Sequence, residues 1–145
     1  MTVTVIIDAC VAIKWFVAEP DSAQAQLLFG ATIERAAPDF ALLELANALW
    51  KNERLGRLET EKVRTAIATL PDFFSQLIPT ANLLAEASDL AREIDHPVYD
   101  CVYVVASRRL NAQLVTTDVK LIRKLTATKD AKNVVALSAW KPSQR

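Results

Sequence analysis

Val3-Thr-Val-Ile-Ile-Asp8 is a run of β-branched residues that ends on an acid. Five such residues are too few for a stable helix and pack well on a pleated surface, so the run predicts a buried first strand that stops at Asp8. Similar runs recur at Gln76 to Pro79, Gln113 to Thr116 and Val134 to Leu137, each expected as a short strand. Longer segments of helical period lie between them. Asp21 or Ser22 is placed to cap a helix through about Phe29, and Ala36-Ala-Pro-Asp39 is expected as a short extended link. Phe40 to about Arg54 keeps helical spacing up to Gly56. Thr60 starts another helix, with Val63, Ile67 and Leu70 on one face, which Pro71 closes. Together these form a helical hairpin at about 40–71. Leu83 to Ile94 carries Leu83, Leu84, Ala87, Leu90, Ala91 and Ile94 on its apolar side, and His96-Pro97 breaks it. Tyr99 to Leu110 reads as a mostly buried helix and Asp118 to Leu125 as the last one. Strands alternating with helices predict an α/β fold around a mostly parallel sheet, with residues 1–145 as a single domain.

Composition narrows the chemistry. The chain has 145 residues, 52% of them hydrophobic, with 17 basic and 17 acidic side chains, one histidine, two cysteines and two glycines. Two glycines cannot write a Walker A loop or a full dinucleotide-binding turn. One histidine and two cysteines exclude the common structural zinc sites and a two-histidine acid/base mechanism. The N-terminus has no basic n-region, and no apolar run reaches the roughly 18 residues needed to span a bilayer, so a cytoplasmic protein is expected. Cys10 and Cys101 lie in apolar stretches and are expected to pack as free thiols. The zero net charge is an average over unlike parts: residues 1–50, 51–103 and 104–145 carry −4, −3 and +7.

Carboxylates are rarely buried unless paired, so acids isolated in apolar sequence are informative. Asp8 is the only charge from Val3 to Ile13, Glu44 the only one between Phe40 and Trp50, and Asp100 the only one between Pro97 and Ser107. Asp118 follows Leu114-Val-Thr-Thr117 directly. Asp8, Asp100 and Asp118 fall where strands end or helices begin, and in a parallel sheet those points share one edge. As structural residues, Asp8 could simply end a strand, and Asp100 and Asp118 could interact with helix dipoles. Glu44, expected a full turn inside its helix, has no such role. Carboxylates gathered in one apolar pocket repel unless a cation is present. Hard oxygen donors without cysteine suit Mg²⁺ or Mn²⁺, ions that activate water and stabilise a leaving oxygen, so metal-assisted hydrolysis is the expected reaction class.

Val5-Ile-Ile-Asp8 with Cys10 and Trp15, Glu44 followed by Asn47, Tyr99-Asp100, and Leu114-Val-Thr-Thr-Asp118 resemble the PIN-domain ribonucleases, specifically the VapC toxins of toxin–antitoxin pairs. The resemblance spans nearly the whole chain. It implies a three-layer α/β/α sandwich and a Mg²⁺- or Mn²⁺-dependent endoribonuclease whose metal-site acids are Asp8, Glu44, Asp100 and Asp118. It further implies a homodimer neutralised by a cognate antitoxin. Thr116 matches a hydroxyl residue that orients the last acid, and Asn47 a polar position beside the site. Cys10 stands where the family usually has Ser or Thr, and a thiol is the poorer hydrogen-bond partner.

The remaining features carry two readings each. His96 is a candidate acid or base, but a His-Pro at a helix end reads more readily as a turn. Lys14, Arg108, Arg109 and Lys120, with Arg123 and Lys124, are candidates for contacting RNA, or else solvated charges. Trp15, Phe16 and Trp50 could line a groove for an antitoxin segment, or pack in the core. Two other functions compete. A non-catalytic PIN-like module would bind RNA or protein without cutting, but has no reason to keep repelling acids together. A phosphorylatable receiver domain needs a paired acid after the first strand, and Ile7-Asp8-Ala9 lacks it.

Overall fold

The computed structural model describes residues 1–142. Five parallel strands form one sheet in the order β3-β2-β1-β4-β5: β1 (Val3–Ile7), β2 (Ile33–Pro38), β3 (Gln76–Ile78), β4 (Gln113–Thr116) and β5 (Val134–Ala136). Seven α-helices connect them: α1 (Ala9–Ala12), α2 (Ser22–Gln26), α3 (Ala41–Arg54), α4 (Thr60–Thr69), α5 (Leu84–Ile94), α6 (Val98–Leu110) and α7 (Val119–Leu125). The chain steps from β1 to β2 to β3 in one direction, then crosses to β4 and β5 on the other side. Right-handed crossovers therefore put α1 to α4 on one face and α5 to α7 on the other, giving the three-layer α/β/α sandwich. No described helix is long and apolar enough to cross a membrane.

The step reverses between β1 and β4, which pair with Ile7 opposite Val115. Open parallel sheets form a crevice beyond the strand ends at such a reversal. Asp8 follows β1 and Asp118 follows β4, so the topology places two of the expected acids at its mouth. Burial deepens along β1 toward this edge: Val3 is 48% exposed, whereas Ile6 and Ile7 are fully buried.

The structure corrects five local expectations. The residues expected as a link before α3 are the end of strand β2, with Ala36 opposite Gln76 and Ile6. Glu34, Arg35, two alanines and Pro38 give this strand little intrinsic β-propensity, and its pairing with two neighbours decides it. Asp21 has a left-handed backbone and makes no capping bond, while Ser22 Oγ accepts from Glu19 N–H and donates to the Val17 carbonyl. On α4 the buried face is Val63, Ala66 and Leu70, leaving Ile67 exposed, and on α5 Leu84 is exposed. Glu44 falls in the first turn of α3, because that helix begins at Ala41. Gly56 ends the α3 stretch at φ 76°, a left-handed conformation that favours glycine.

Candidate metal centre at the sheet edge

Asp8 is 6% exposed, and its carboxylate is fixed from two sides. Cys10 N–H donates to Oδ1 at 3.2 Å and the Thr116 hydroxyl donates to Oδ2 at 2.9 Å. Burial pushes its pKa up to about 6 against these two bonds, and the Asp100 charge adds to the rise. Thr116 was expected to orient Asp118. It touches that residue through the backbone, accepting from Asp118 N–H at 3.0 Å, and spends its proton on Asp8. One hydroxyl thus ties the ends of β1 and β4 together.

Glu44 reaches the same edge from α3. Burial raises its pKa, a hydrogen bond from Tyr103 opposes the rise, and the charges of Asp8 and Asp100 reinforce it. The fully buried Tyr103 donates its hydroxyl to Glu44 Oε1 at 2.7 Å and accepts from Ala9 N–H at 3.2 Å. Tyr103→Phe would leave that buried N–H without an acceptor and free the glutamate. The expected cost is about 1–2 kcal/mol, read as a lower urea midpoint with an unchanged slope. An unchanged midpoint would show that water replaces the hydroxyl.

Asp100 lies in the first turn of α6. Burial raises its pKa, the His96 hydrogen bond opposes, and the nearby Asp118 charge raises it further. Asp118 caps α7, its Oδ1 accepting from Leu121 N–H at 3.0 Å. The capping role and proximity to the other acids therefore coexist. His96 is buried, with Nε2 at 2.7 Å from Asp100 Oδ2 and 3.8 Å from Asp118 Oδ2, while its Nδ1 has no hydrogen-bond partner among the described residues. An orphaned acceptor costs less than an orphaned N–H, which favours the tautomer that carries its proton on Nε2 and donates it to Asp100.

The acids form two linked groups. Ligand-capable atoms of His96, Asp100 and Asp118 lie within 4.8 Å of one another. Asp8 joins this group through Thr116, and Glu44 joins Asp8 through Tyr103 and the start of α1. Three carboxyls held above their usual range by burial and mutual repulsion, with a fourth beside them, form an oxygen-rich donor set that fits a divalent cation.

His96-Pro97 breaks the chain between α5 and α6 as expected, and the His96 ring in addition meets Asp100, whereas Tyr103 was not among the expected site residues. Tyr103 could have been found three residues after Asp100, on the same helical face. Asn47 is exposed one turn beyond Glu44 and lines a cleft of about 240 Å³ with Glu44, Cys10 and Lys51. Cys10 Sγ accepts from Thr117 N–H at 3.4 Å and lies 3.6 Å from Thr116 Oγ1. Burial, helped by the Asp8 charge, pushes its thiol up to about 12, so it remains protonated. Cys101 is buried, and both cysteines are free.

The other nominated residues are largely engaged elsewhere. Lys14 Nζ pairs with Glu19 at 3.0 Å and donates to the Pro20 carbonyl. Arg108 is clamped by Asp130 and Glu86, and Arg109 reaches Glu86. Lys120 is exposed in the first turn of α7. Trp15 sits in an aromatic cluster with Phe29, Phe73 and Phe74 and donates Nε1–H to the Ala25 carbonyl. Phe16 lines a shallow groove against α4. Trp50 is 48% exposed under the Arg54 guanidinium.

Residues 5–125 match the family model of the PIN domain. Ribonuclease VapC3 of Pyrobaculum aerophilum is 32% identical over 124 residues, spanning 84% of this chain and 95% of that protein. The fold is similar to a crystal structure from the same organism (TM-score 0.63, 23% identity, 95% of this chain and 92% of that one). It is also similar to chains in a toxin–antitoxin complex from Klebsiella pneumoniae (TM-score 0.60, 16% identity, 92% and 97% covered) and in VapBC-1 from nontypeable Haemophilus influenzae (0.60, 16%, 93% and 98%). Acids that the sheet reversal gathers at one edge, within a match over most of the sequence, make this chain a member of the PIN-domain family.

Proposed function

We propose that the protein is a Mg²⁺- or Mn²⁺-dependent endoribonuclease, the cytoplasmic toxin of a toxin–antitoxin pair, working as a homodimer restrained by a cognate antitoxin. The observation that carries this reading is the crevice itself: Asp8, Glu44 and Asp100 are all pushed toward protonation, with Asp118 and His96 beside Asp100. Its kinship with a VapC ribonuclease supports RNA as the substrate class.

Asp8, Glu44, Asp100 and Asp118 would hold the metal. When bound, such an ion stabilises charge on phosphodiester oxygens and makes water a better nucleophile. The chain's own groups prepare the site. Thr116 and Cys10 N–H fix the rotamer of Asp8, Tyr103 fixes Glu44, and the His96 ring fixes one oxygen of Asp100. Preorganised ligands of this kind need no reordering during reaction.

The test is incubation of purified protein with total RNA in Mn²⁺ or Mg²⁺, with new ends mapped, alongside Asp100→Asn and an EDTA control. Cleavage by wild type only, and only with metal, is expected. Equal cleavage by the variant, or undiminished cleavage in EDTA, would sink the metal-dependent reading. Tight metal binding with no hydrolysis of any RNA would favour a binding module.

A further inference from the structure

We propose that the outer stripe of α3 from Glu44 through Asn47 and Lys51 to Arg54 carries the RNA backbone into the acid site. The proposal rests on the ribonuclease reading and names the surface that the reading leaves open. A polyanion approaching clustered carboxylates needs cations along its path, since phosphate contacts dominate nucleic-acid affinity.

Four of the cations nominated from sequence are poorly available for that role, while Lys120 and Arg123 stay exposed on α7 without a carboxylate within 4.0 Å among the described residues. Lys14, Arg108, Arg109 and Lys124 each have a carboxylate oxygen within 4.0 Å. Lys51 and Arg54 are exposed and have no such partner among the described residues. Residues 44, 47, 51 and 54 recur at helical spacing, so they form one stripe along α3. Two clefts adjoin the stripe and share Lys51: the one beside Glu44 is lined by Lys51 as well, and a second of about 220 Å³ is lined by Lys51, Arg54 and Leu55.

Trp50 borders this path. Its ring is 48% exposed, with the Arg54 guanidinium 5.6 Å from its centroid. An exposed aromatic face beside a planar cation is a stacking platform for unpaired bases, and single-stranded segments combine such platforms with a basic groove. Lys51 and Asn47 hold backbone near the acids, and Arg54 with Trp50 holds the strand farther out. The ligand class is single-stranded RNA.

The experiment uses the full chain carrying Asp100→Asn, to prevent cleavage, and a fluorescein-labelled mixed-sequence single-stranded RNA of about 12 nucleotides. Adding Lys51→Gln and Arg54→Gln together is expected to weaken binding roughly tenfold. The slope of log affinity against log salt should become shallower by about 0.7 for each cation removed. In the cleaving protein the same pair should raise KM with little change in kcat. Arg92→Gln, which removes an exposed arginine paired with Asp89, is the matched control. The track is overturned if the double variant binds with unchanged affinity and slope, if Arg92→Gln weakens binding equally, or if sedimentation shows that the double variant breaks an assembly of the protein. If the parent binds no RNA and the wild type cleaves none, the ribonuclease reading itself has failed.

Discussion

Asp8→Asn is expected to abolish RNA cleavage while making the metal-free protein more stable. The two effects have one cause. The carboxylate is buried near Asp100, and burial, only partly offset by the Cys10 and Thr116 hydrogen bonds, raises its pKa to about 6 from 3.8. That difference corresponds to about 3 kcal/mol of penalty on the ionised form. The sign follows from the direction: the folded state binds the proton more tightly than the unfolded state, so stability is lost as pH rises from about 4 through about 6. Above that range the penalty is complete.

Asparagine keeps the shape and removes the charge. Its carbonyl oxygen can still accept from Cys10 N–H, and its amide can donate to the Thr116 hydroxyl, which then turns its own proton elsewhere. In EDTA, the melting temperature of Asp8→Asn should exceed that of wild type by about 5 °C above neutral pH, a gap that shrinks as pH falls toward 4. A gap that stays constant with pH would place its origin elsewhere. Cleavage should fall by roughly 1,000-fold, because a metal ligand and its charge are lost together. Wild type should gain stability from added Mn²⁺ by mass action, and the variant should gain less.

Arg108→Ala is expected to destabilise the fold by about 3–5 kcal/mol and to leave RNA affinity intact below the melting range. Arg108 approaches Asp130 with two nitrogens, Nε to Oδ1 at 2.9 Å and Nη2 to Oδ2 at 2.7 Å, while Nη1 reaches Glu86 at 3.3 Å. Asp130 is 3% exposed. Its hydrogen bonds hold the guanidinium above its usual range, so the arginine stays charged. The clamp joins α6 to α5 and to the loop before β5. Truncating it strands a carboxylate in the interior, an expected drop of roughly 10 °C by calorimetry. Arg108→Ala with Asp130→Ala should recover part of that loss, because the buried charge is gone. A variant of wild-type stability with tenfold weaker RNA binding would instead return Arg108 to the nucleic-acid surface.

Much of the fold was legible because strands rich in Val, Ile and Leu declare themselves locally. β1 and β4 appear where their sequence predicts, and α6 begins at the Pro97 boundary. β2 was illegible because Ile33-Glu-Arg-Ala-Ala-Pro38 has no strand signature; it is extended because β1 and β3 flank it. The acids were legible as charges in apolar surroundings. Their supporting groups were not. Tyr103 looks like core until its hydroxyl is found against Glu44, 59 residues away, and His96 looks like a turn until its ring is found against Asp100.

By itself the sequence determined the alternation of strands and helices, the parallel sheet class and the isolation of Asp8, Glu44, Asp100 and Asp118, since periodicity and missing neighbours are local properties. Tertiary structure alone decided which charges remain available. Arg108 finds Asp130 22 residues away, and Thr116 spends its proton on Asp8 across 108 residues. A charge or hydroxyl is free only when no partner reaches it, and packing brings partners together without regard to their separation along the chain.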